Sequence, residues 1–186
     1  AVDAARKANT IQTWRDVCKA AIDEKEFRIA QQCAIHIIVE PDELEDLISY
    51  YEQEGYVEEI MEVIEGGIGL ERAHMYAPTT THPPPRAPPL LLLPLQLMPP
   101  ARFRGMFTEL GVLYAKYKVE KLQEHCKVFW ARLNIPKLIR VCEVGEHWAV
   151  QCFLYEKFDE FDNAVTCMIN HAAEAFDHSM LKELLS

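Results

Sequence analysis

Glu71-x-x-His74 is one place in this 186-residue sequence where residue type and spacing could hold a metal ion. It is half of the carboxylate–histidine pattern of di-iron bundles, whose chemistry needs a second copy and two further inward glutamates. The chain has one copy, so a structural or solvent-facing histidine is expected. His125-Cys126 and Cys142 with His147 offer zinc-ligand types, but at the spacing of no standard finger, and both cysteines fall on apolar stripes. The cysteines Cys18, Cys33, Cys126, Cys142, Cys152 and Cys167 include no C-x-x-C pair and read as buried thiols of a reducing compartment. G-x-x-x-x-G-K-[ST], G-x-S-x-G and G-x-G-x-x-G motifs are absent, and Gly66-Gly67-x-Gly69 follows a helical pattern, which predicts a helix stop and turn. Catalytic residues, a bound metal and a cofactor are therefore not expected.

Charge gives one feature a different character. The net charge is -10, with 19 basic against 29 acidic residues, and such a surface does not suit a phosphate backbone, which needs clustered cations. Residues 116–140 run against this background. They hold Lys116, Lys118, Lys121, Lys127, Arg132, Lys137 and Arg140 against only Glu120 and Glu124, a local charge of +5. Two readings stay open: a solvated face that balances acidic neighbours, or a surface for an acidic partner helix with Trp130 as apolar anchor.

The elements that position these residues follow from periodicity. Ile11, Trp14, Val17, Cys18, Ala21 and Ile22 lie on one helical stripe opened by Asn9 or Thr10 as cap. Phe27, Ala30, Cys33, Ala34 and Ile37 make a second stripe, and Pro41 starts a third helix, to about Glu54, with Leu44, Leu47, Ile48 and Tyr51 inward and Gly55 as its stop. Tyr56, Val57, Ile60, Met61 and Ile64 continue to Gly66-Gly67. Further on come Phe107, Leu110, Leu113, Tyr114 and Tyr117, then Val119, Leu122, Cys126 and Phe129, then Leu138, Ile139 and Cys142 behind an Asn134/Pro136 start. Trp148, Cys152 and Tyr155, Phe161, Ala164, Val165 and Met168, and finally Met180, Leu181 and Leu184 complete the pattern. No segment alternates with period two, so the class is all-α. An aromatic follows a charged turn at Phe27, Tyr56 and Phe161, and related positions recur at 29 to 34 residues once the segment described next is set aside. Such periods predict helical hairpins stacked as an α-solenoid, with a compact bundle as the alternative.

Residues 76–104 do not belong to this pattern. They carry nine of the eleven prolines and no Asp or Glu, and the 157 residues outside them hold a net charge of -13. Proline at this density continues neither a helix nor a ladder, so a disordered or extended segment is expected, either a passive loop or an in-frame insert. The expected organisation is helical repeats over 1–75, the Pro-rich insert over 76–104 and the same repeats over 105–186. Leu90 to Leu93 is cut by Pro94, so no stretch is long enough to span a bilayer, and no direct membrane insertion is expected. Asp3, Arg6 and Lys7 interrupt the start where a signal peptide would be apolar. A chain beginning at Ala1 reads as a segment of something longer.

The blocks AVDAARKANTIQTWRDVCKA, IDEKEFRIAQQC, DELEDLISYYEQEGY, GLERAHM, GMFTELGVLYAKYK, FWARLNIPKLIRVCE and LYEKFDEFDNAVTCM resemble the leg of the clathrin heavy chain family. The resemblance covers residues 1–75 and 105–186. In the family GLERAHM runs straight into GMFTEL, and here the Pro-rich stretch intervenes. The resemblance implies a right-handed α-solenoid of clathrin or TPR-like repeats, near the start of the proximal leg, where clathrin light chain binds. It implies a non-enzymatic coat component on the cytoplasmic face of coated pits and vesicles, whose heavy-chain legs interdigitate into a lattice. It also implies that the trimer hub and the terminal β-propeller lie outside this segment. Helical-repeat scaffolds of vacuolar sorting and tethering complexes are the alternative family.

Deleting residues 76–104, so that Met75 joins Gly105, is expected to leave helix content unchanged and thermal stability equal or higher. Closing a 29-residue loop costs only on the order of a few kcal/mol, whereas its run of leucines is an aggregation hazard. Circular dichroism and a melting curve check this, and a deletion variant that loses helix or melts lower refutes the insert.

Overall fold

Four times among the described residues one helix ends and the next begins through the same pair of backbone hydrogen bonds. Lys25, Gly55, Glu146 and Asp159 each take a positive φ, between 58° and 81°. The N–H of the following residue then reaches back five positions: Glu26 to the Ala21 carbonyl at 2.8 Å, Tyr56 to Tyr51 at 2.9 Å, His147 to Cys142 at 2.8 Å and Glu160 to Tyr155 at 2.9 Å. The left-handed residue itself donates three positions back, to Ile22, Glu52, Glu143 and Glu156. This is the Schellman closure, which satisfies carbonyls that a helix end leaves open. The residue after the left-handed one also opens the next helix, since the carbonyls of Glu26, His147 and Glu160 accept from Ala30, Gln151 and Ala164 at 3.0 Å.

The computed structural model describes residues 2–75, 104–178 and 181–182, with the side chains of Ala4 and residues 70–75 outside that description. Among these residues there are eleven α-helices and no strand. They are α1 (Val2–Ala8), α2 (Ile11–Asp23), α3 (Phe27–Ala34), α4 (Pro41–Glu54), α5 (Val57–Met75), α6 (Arg104–Tyr117), α7 (Val119–Phe129), α8 (Ile135–Val144), α9 (Trp148–Lys157), α10 (Phe161–Asn170) and α11 (Ala172–Ala175). A 3₁₀ turn, Trp130–Arg132, follows α7. The all-α helical-repeat class expected from the sequence is the class observed. The Pro-rich stretch lies outside the described residues except for Arg104, which is the first residue of α6.

The chain divides into two compact units, Ala1–Met106 and Phe107–Ser186. In the first, Thr10 caps α2 by accepting from the Thr13 N–H at 3.3 Å. Trp14, Cys18 and Ile22 of α2 face Ala30, Cys33 and Ala34 of α3, all buried. On α4 the buried set is Leu44, Leu47, Ile48 and Tyr51, as the spacing predicts. Each fully buried leucine or isoleucine contributes roughly 1.5–3 kcal/mol. Arg15 of α2 ties down α4 through Glu43 at 2.8 Å, both side chains about three-quarters covered.

Hairpin α9–α10 repeats hairpin α2–α3 residue for residue at its core. Trp148, Cys152, Phe161, Ala164 and Cys167 keep the order and spacing of Trp14, Cys18, Phe27, Ala30 and Cys33. The Cys18 thiol donates to the Ala30 carbonyl at 3.5 Å, and Cys152 to Ala164 at 3.7 Å. Trp14 stacks on His36 at 4.0 Å between ring centroids, and Trp148 on His171 at 3.6 Å. Burial holds the His36 pKa below its ordinary value, with Arg6 as a smaller cause.

The expected stop at Gly66-Gly67 is overturned, because α5 runs through both glycines to Met75. A Cβ on Gly67 would sit 3.0 Å from Ile38 Cδ1 and 3.3 Å from Met106 Sδ. That glycine serves close packing of a helix on its neighbours, which offsets its poor helix propensity of about 1 kcal/mol. Tyr117, Val119 and Phe161, expected inward, are 50%, 46% and 46% exposed. They stand in the last turn of α6 and the first residues of α7 and α10, where the stripes run past the helices that would cover them. Met180 and Leu184 lie outside the described residues.

The turn geometry predicts opposite effects for two substitutions. A Cβ on Gly55 would meet nothing within 4 Å, so Gly55→Ala acts through the backbone alone and is expected to destabilise by about 1 kcal/mol. Asp159→Gly relieves the same strain and is expected to be neutral to about 1 kcal/mol stabilising, after the larger entropy that glycine loses on folding. Urea unfolding of both variants checks the pair, and a stabilised Gly55→Ala would contradict it.

Candidate functional site

The basic segment is held by three buried polar side chains of its own unit. Thr108, Glu109 and His125 are 4%, 9% and 5% exposed. The Asn134 N–H donates to Thr108 Oγ1 at 2.9 Å, and the Asn134 side chain caps α8 by accepting from the Lys137 N–H at 3.2 Å. Lys137 Nζ donates to Glu109 Oε1 at 2.7 Å. His125 Nε2 donates to the Phe107 carbonyl at 2.8 Å, and its ring sits edge-on to Tyr114 at 5.3 Å. Thus α7 and α8 are fastened to α6 by groups whose desolvation is offset by hydrogen bonds. Gly111 allows the close approach, since a Cβ there would lie 3.1 Å from Leu138 Cδ2.

This anchoring sorts the sequence-predicted residues. Lys137 is engaged by Glu109, Arg132 lies over the Phe107 ring at 5.1 Å, and Lys121 lies over the Tyr114 ring at 5.5 Å. Lys118 is the half-buried joint between α6 and α7. Lys116, Lys121, Lys127 and Arg140 are exposed. Trp130, expected as an apolar anchor, is 41% exposed in the 3₁₀ turn, with Lys157 Nζ over its ring at 6.0 Å.

The structure adds residues that periodicity did not single out. Lys116 and Arg140 flank a groove of about 650 Å³ whose apolar lining is Ala115, Val119, Val141 and Val144. Val144 is 88% exposed at the end of α8. His147 closes the groove, its Nε2 donating to the Ala115 carbonyl at 2.8 Å. Gly145 makes room for that ring, since a Cβ there would stand 2.7 Å from Nε2. A valine followed by Gly-Glu-His was the available signal, but only the packing of α6 against α8 makes it a groove.

The residue types with metal chemistry are placed otherwise. His125 and His147 are hydrogen-bonded to carbonyls, and Cys126 and Cys142 are fully buried. Among the described residues no group of three or more His, Cys, Asp or Glu is placed to hold a metal ion. The side chains of Glu71 and His74 lie outside those described. Among the described residues no helix is long and apolar enough to cross a membrane.

Short helical hairpins, four of them joined by the same left-handed turn, define an α-helical repeat fold. Residues 91–186 match the family model described as the region in clathrin and VPS. Over 186 residues the chain is 45% identical to clathrin heavy chain 1 of Arabidopsis thaliana and 41% identical to clathrin heavy chain 2 of Homo sapiens, covering all of this chain. Over 185 residues it is 46% identical to the clathrin heavy chain of Dictyostelium discoideum. The chain belongs to the clathrin heavy-chain repeat family. It spans about a tenth of the length of these relatives, 9% to 10%.

The buried thiols provide a check on this packing. Burial pushes both Cys126 and Cys142 up to about 12, so at pH 8 only on the order of one in 10⁴ is thiolate, the reactive form. Iodoacetamide at pH 8 is expected to leave both unmodified in the native chain and to label both in urea. Mass spectrometry reads the result, and rapid native labelling would mean that α7 and α8 open.

Proposed function

We propose that this chain is a leg segment of a clathrin-type coat, a structural element of intracellular protein transport and endocytosis rather than an enzyme. The observation that carries the reading is 41–46% identity with clathrin heavy chains along the whole chain. Its place is the cytoplasmic face of coated pits and coated vesicles. Its partners are other heavy-chain legs, through lattice contacts, and clathrin light chain, through the basic hairpin. Residues 76–104 are an insert between two runs of the same repeats.

Hairpins that each bury a stripe against neighbours suit this work. Small rotations per repeat are shared along a leg, and many weak side contacts reach useful strength together through avidity. The basic hairpin adds attraction for an acidic helix, and exposed cations act mainly on the rate of encounter. Lys121 and Lys127 are exposed and outside the apolar stripe, so they are the positions to reverse.

Lys121→Glu with Lys127→Glu is expected to slow association with clathrin light chain by about tenfold at low salt and to flatten the salt dependence, with helix content unchanged. Stopped-flow or surface-plasmon kinetics at two ionic strengths measure this. An unchanged on-rate leaves the hairpin as a solvated face, and no binding by the unaltered chain removes the light-chain reading. The coat reading is tested separately by exchanging the segment into a full-length heavy chain and imaging cages, which are expected to form.

A further inference from the structure

We propose that Cys152 and Cys167 are a reversible disulfide site, closed by a hydroperoxide, that locks helix α9 to helix α10. The inference does not depend on the coat reading, since it concerns two thiols of one hairpin and its test needs no partner.

The two sulfurs reach across the same hairpin in opposite directions. Cys167 Sγ on α10 lies 3.8 Å from the Trp148 carbonyl and 3.7 Å from Gln151 Oε1, both on α9. Cys152 Sγ on α9 lies 3.7 Å from the Ala164 carbonyl of α10. Trp148 stands one turn before Cys152, and Ala164 one turn before Cys167. A helical side chain leans over the turn that precedes it, so each sulfur is brought to the spot the other already covers. The thiols accordingly share a hydrogen bond, and both belong to one buried cluster with Met168 and Ala175.

Other cysteine pairs span hairpins too, and comparison singles this one out. Cys18 with Cys33, and Cys126 with Cys142, are 0% exposed and act on each other through charge, without a thiol–thiol hydrogen bond. Cys167 is 8% exposed, in a cluster whose outer cover is the partly buried Trp148, Tyr155 and Leu181. Burial raises both thiols of the pair, but the Cys152 S–H donates to Cys167 and offsets part of the rise there. Cys167 is thus the sulfur that reacts and Cys152 the one that resolves. The Cys167 thiolate attacks one peroxide oxygen, the O–O bond breaks, and the leaving hydroxide or alkoxide takes up the proton that the thiol gave. Cys152 then attacks the sulfenic sulfur, the S–O bond breaks, and water leaves with the second proton. Two thiols lose two electrons, the peroxide gains them, and a reducing thiol reverses the bond.

Hydrogen peroxide added to the native chain, then N-ethylmaleimide in urea and peptide mass spectrometry, tests the site. Cleavage after Lys157 separates the two cysteines, and cleavage after Glu143 and Glu146 sets Cys142 apart. The expected result is a linked Cys152–Cys167 peptide pair, with Cys18, Cys33, Cys126 and Cys142 alkylated by the maleimide. Linkage is expected to form about tenfold faster at pH 8 than at pH 7, because both thiols titrate well above that range. The linked chain is expected to melt about 5 °C higher, and dithiothreitol to return it. In Cys152→Ala, whose fold circular dichroism checks, Cys167 is expected to stop at the sulfenic acid, which dimedone traps. Cys152 and Cys167 left free, or oxidised without linking, overturn the site. Loss of all six thiols together overturns it as well, since that marks global unfolding. A linked pair without a higher melting point overturns the lock. Linkage is read in the unaltered chain, so a misfolded Cys152→Ala does not remove the test.

Discussion

A peptide N–H that reaches back five residues across a left-handed backbone position sets the direction of the helix that follows. At Lys25, Gly55, Glu146 and Asp159 the chain reverses within two residues because the carbonyls exposed at one helix end are satisfied by the N–H groups that lead into the next. The reversal fixes which stripe faces which. Trp14, Cys18 and Ile22 meet Ala30 and Cys33, and Trp148 and Cys152 meet Ala164 and Cys167, because the turns between them have the same geometry. The core of each hairpin therefore depends on a backbone constraint before it depends on any apolar contact.

The connection from α7 to α8 is made differently, and that difference shapes the basic surface. Here a 3₁₀ turn replaces the left-handed residue, and side chains do the fastening: Thr108, Glu109 and His125 take up an amide, an ammonium and a carbonyl. One lysine of the basic cluster is drawn into this fastening and two cations are laid on aromatic rings. Lys116 and Arg140 stand beside exposed valines. The cationic character of the segment is thus divided between holding α6, α7 and α8 together and presenting a face outward.

Leu44, Leu47, Ile48 and Tyr51 were legible because a helix buried on one side repeats its apolar residues every three or four positions, and Gly55 was legible because a left-handed stop favours glycine. Gly66 and Gly67 misled for the same reason. A glycine that breaks a helix and one that admits a neighbour look alike in one dimension, and only Ile38 and Met106 at Gly67 distinguish them. The cations of residues 116–140 could be counted from the sequence, but not their allotment, since Glu109 and Phe107 approach them only through packing. Val144 was silent for the complementary reason: an apolar residue at a helix end carries no sign of whether a neighbour covers it.

Three of the four reversals place a charged residue, not glycine, at the left-handed position. A hairpin whose path is written in its peptide groups does not specify which side chain the corner displays. Lysine at 25, glutamate at 146 and aspartate at 159 occupy equivalent corners with opposite signs, so geometry and address are separate variables. A lineage of such repeats can rewrite the charge at each corner while the backbone that makes the reversal stays the same.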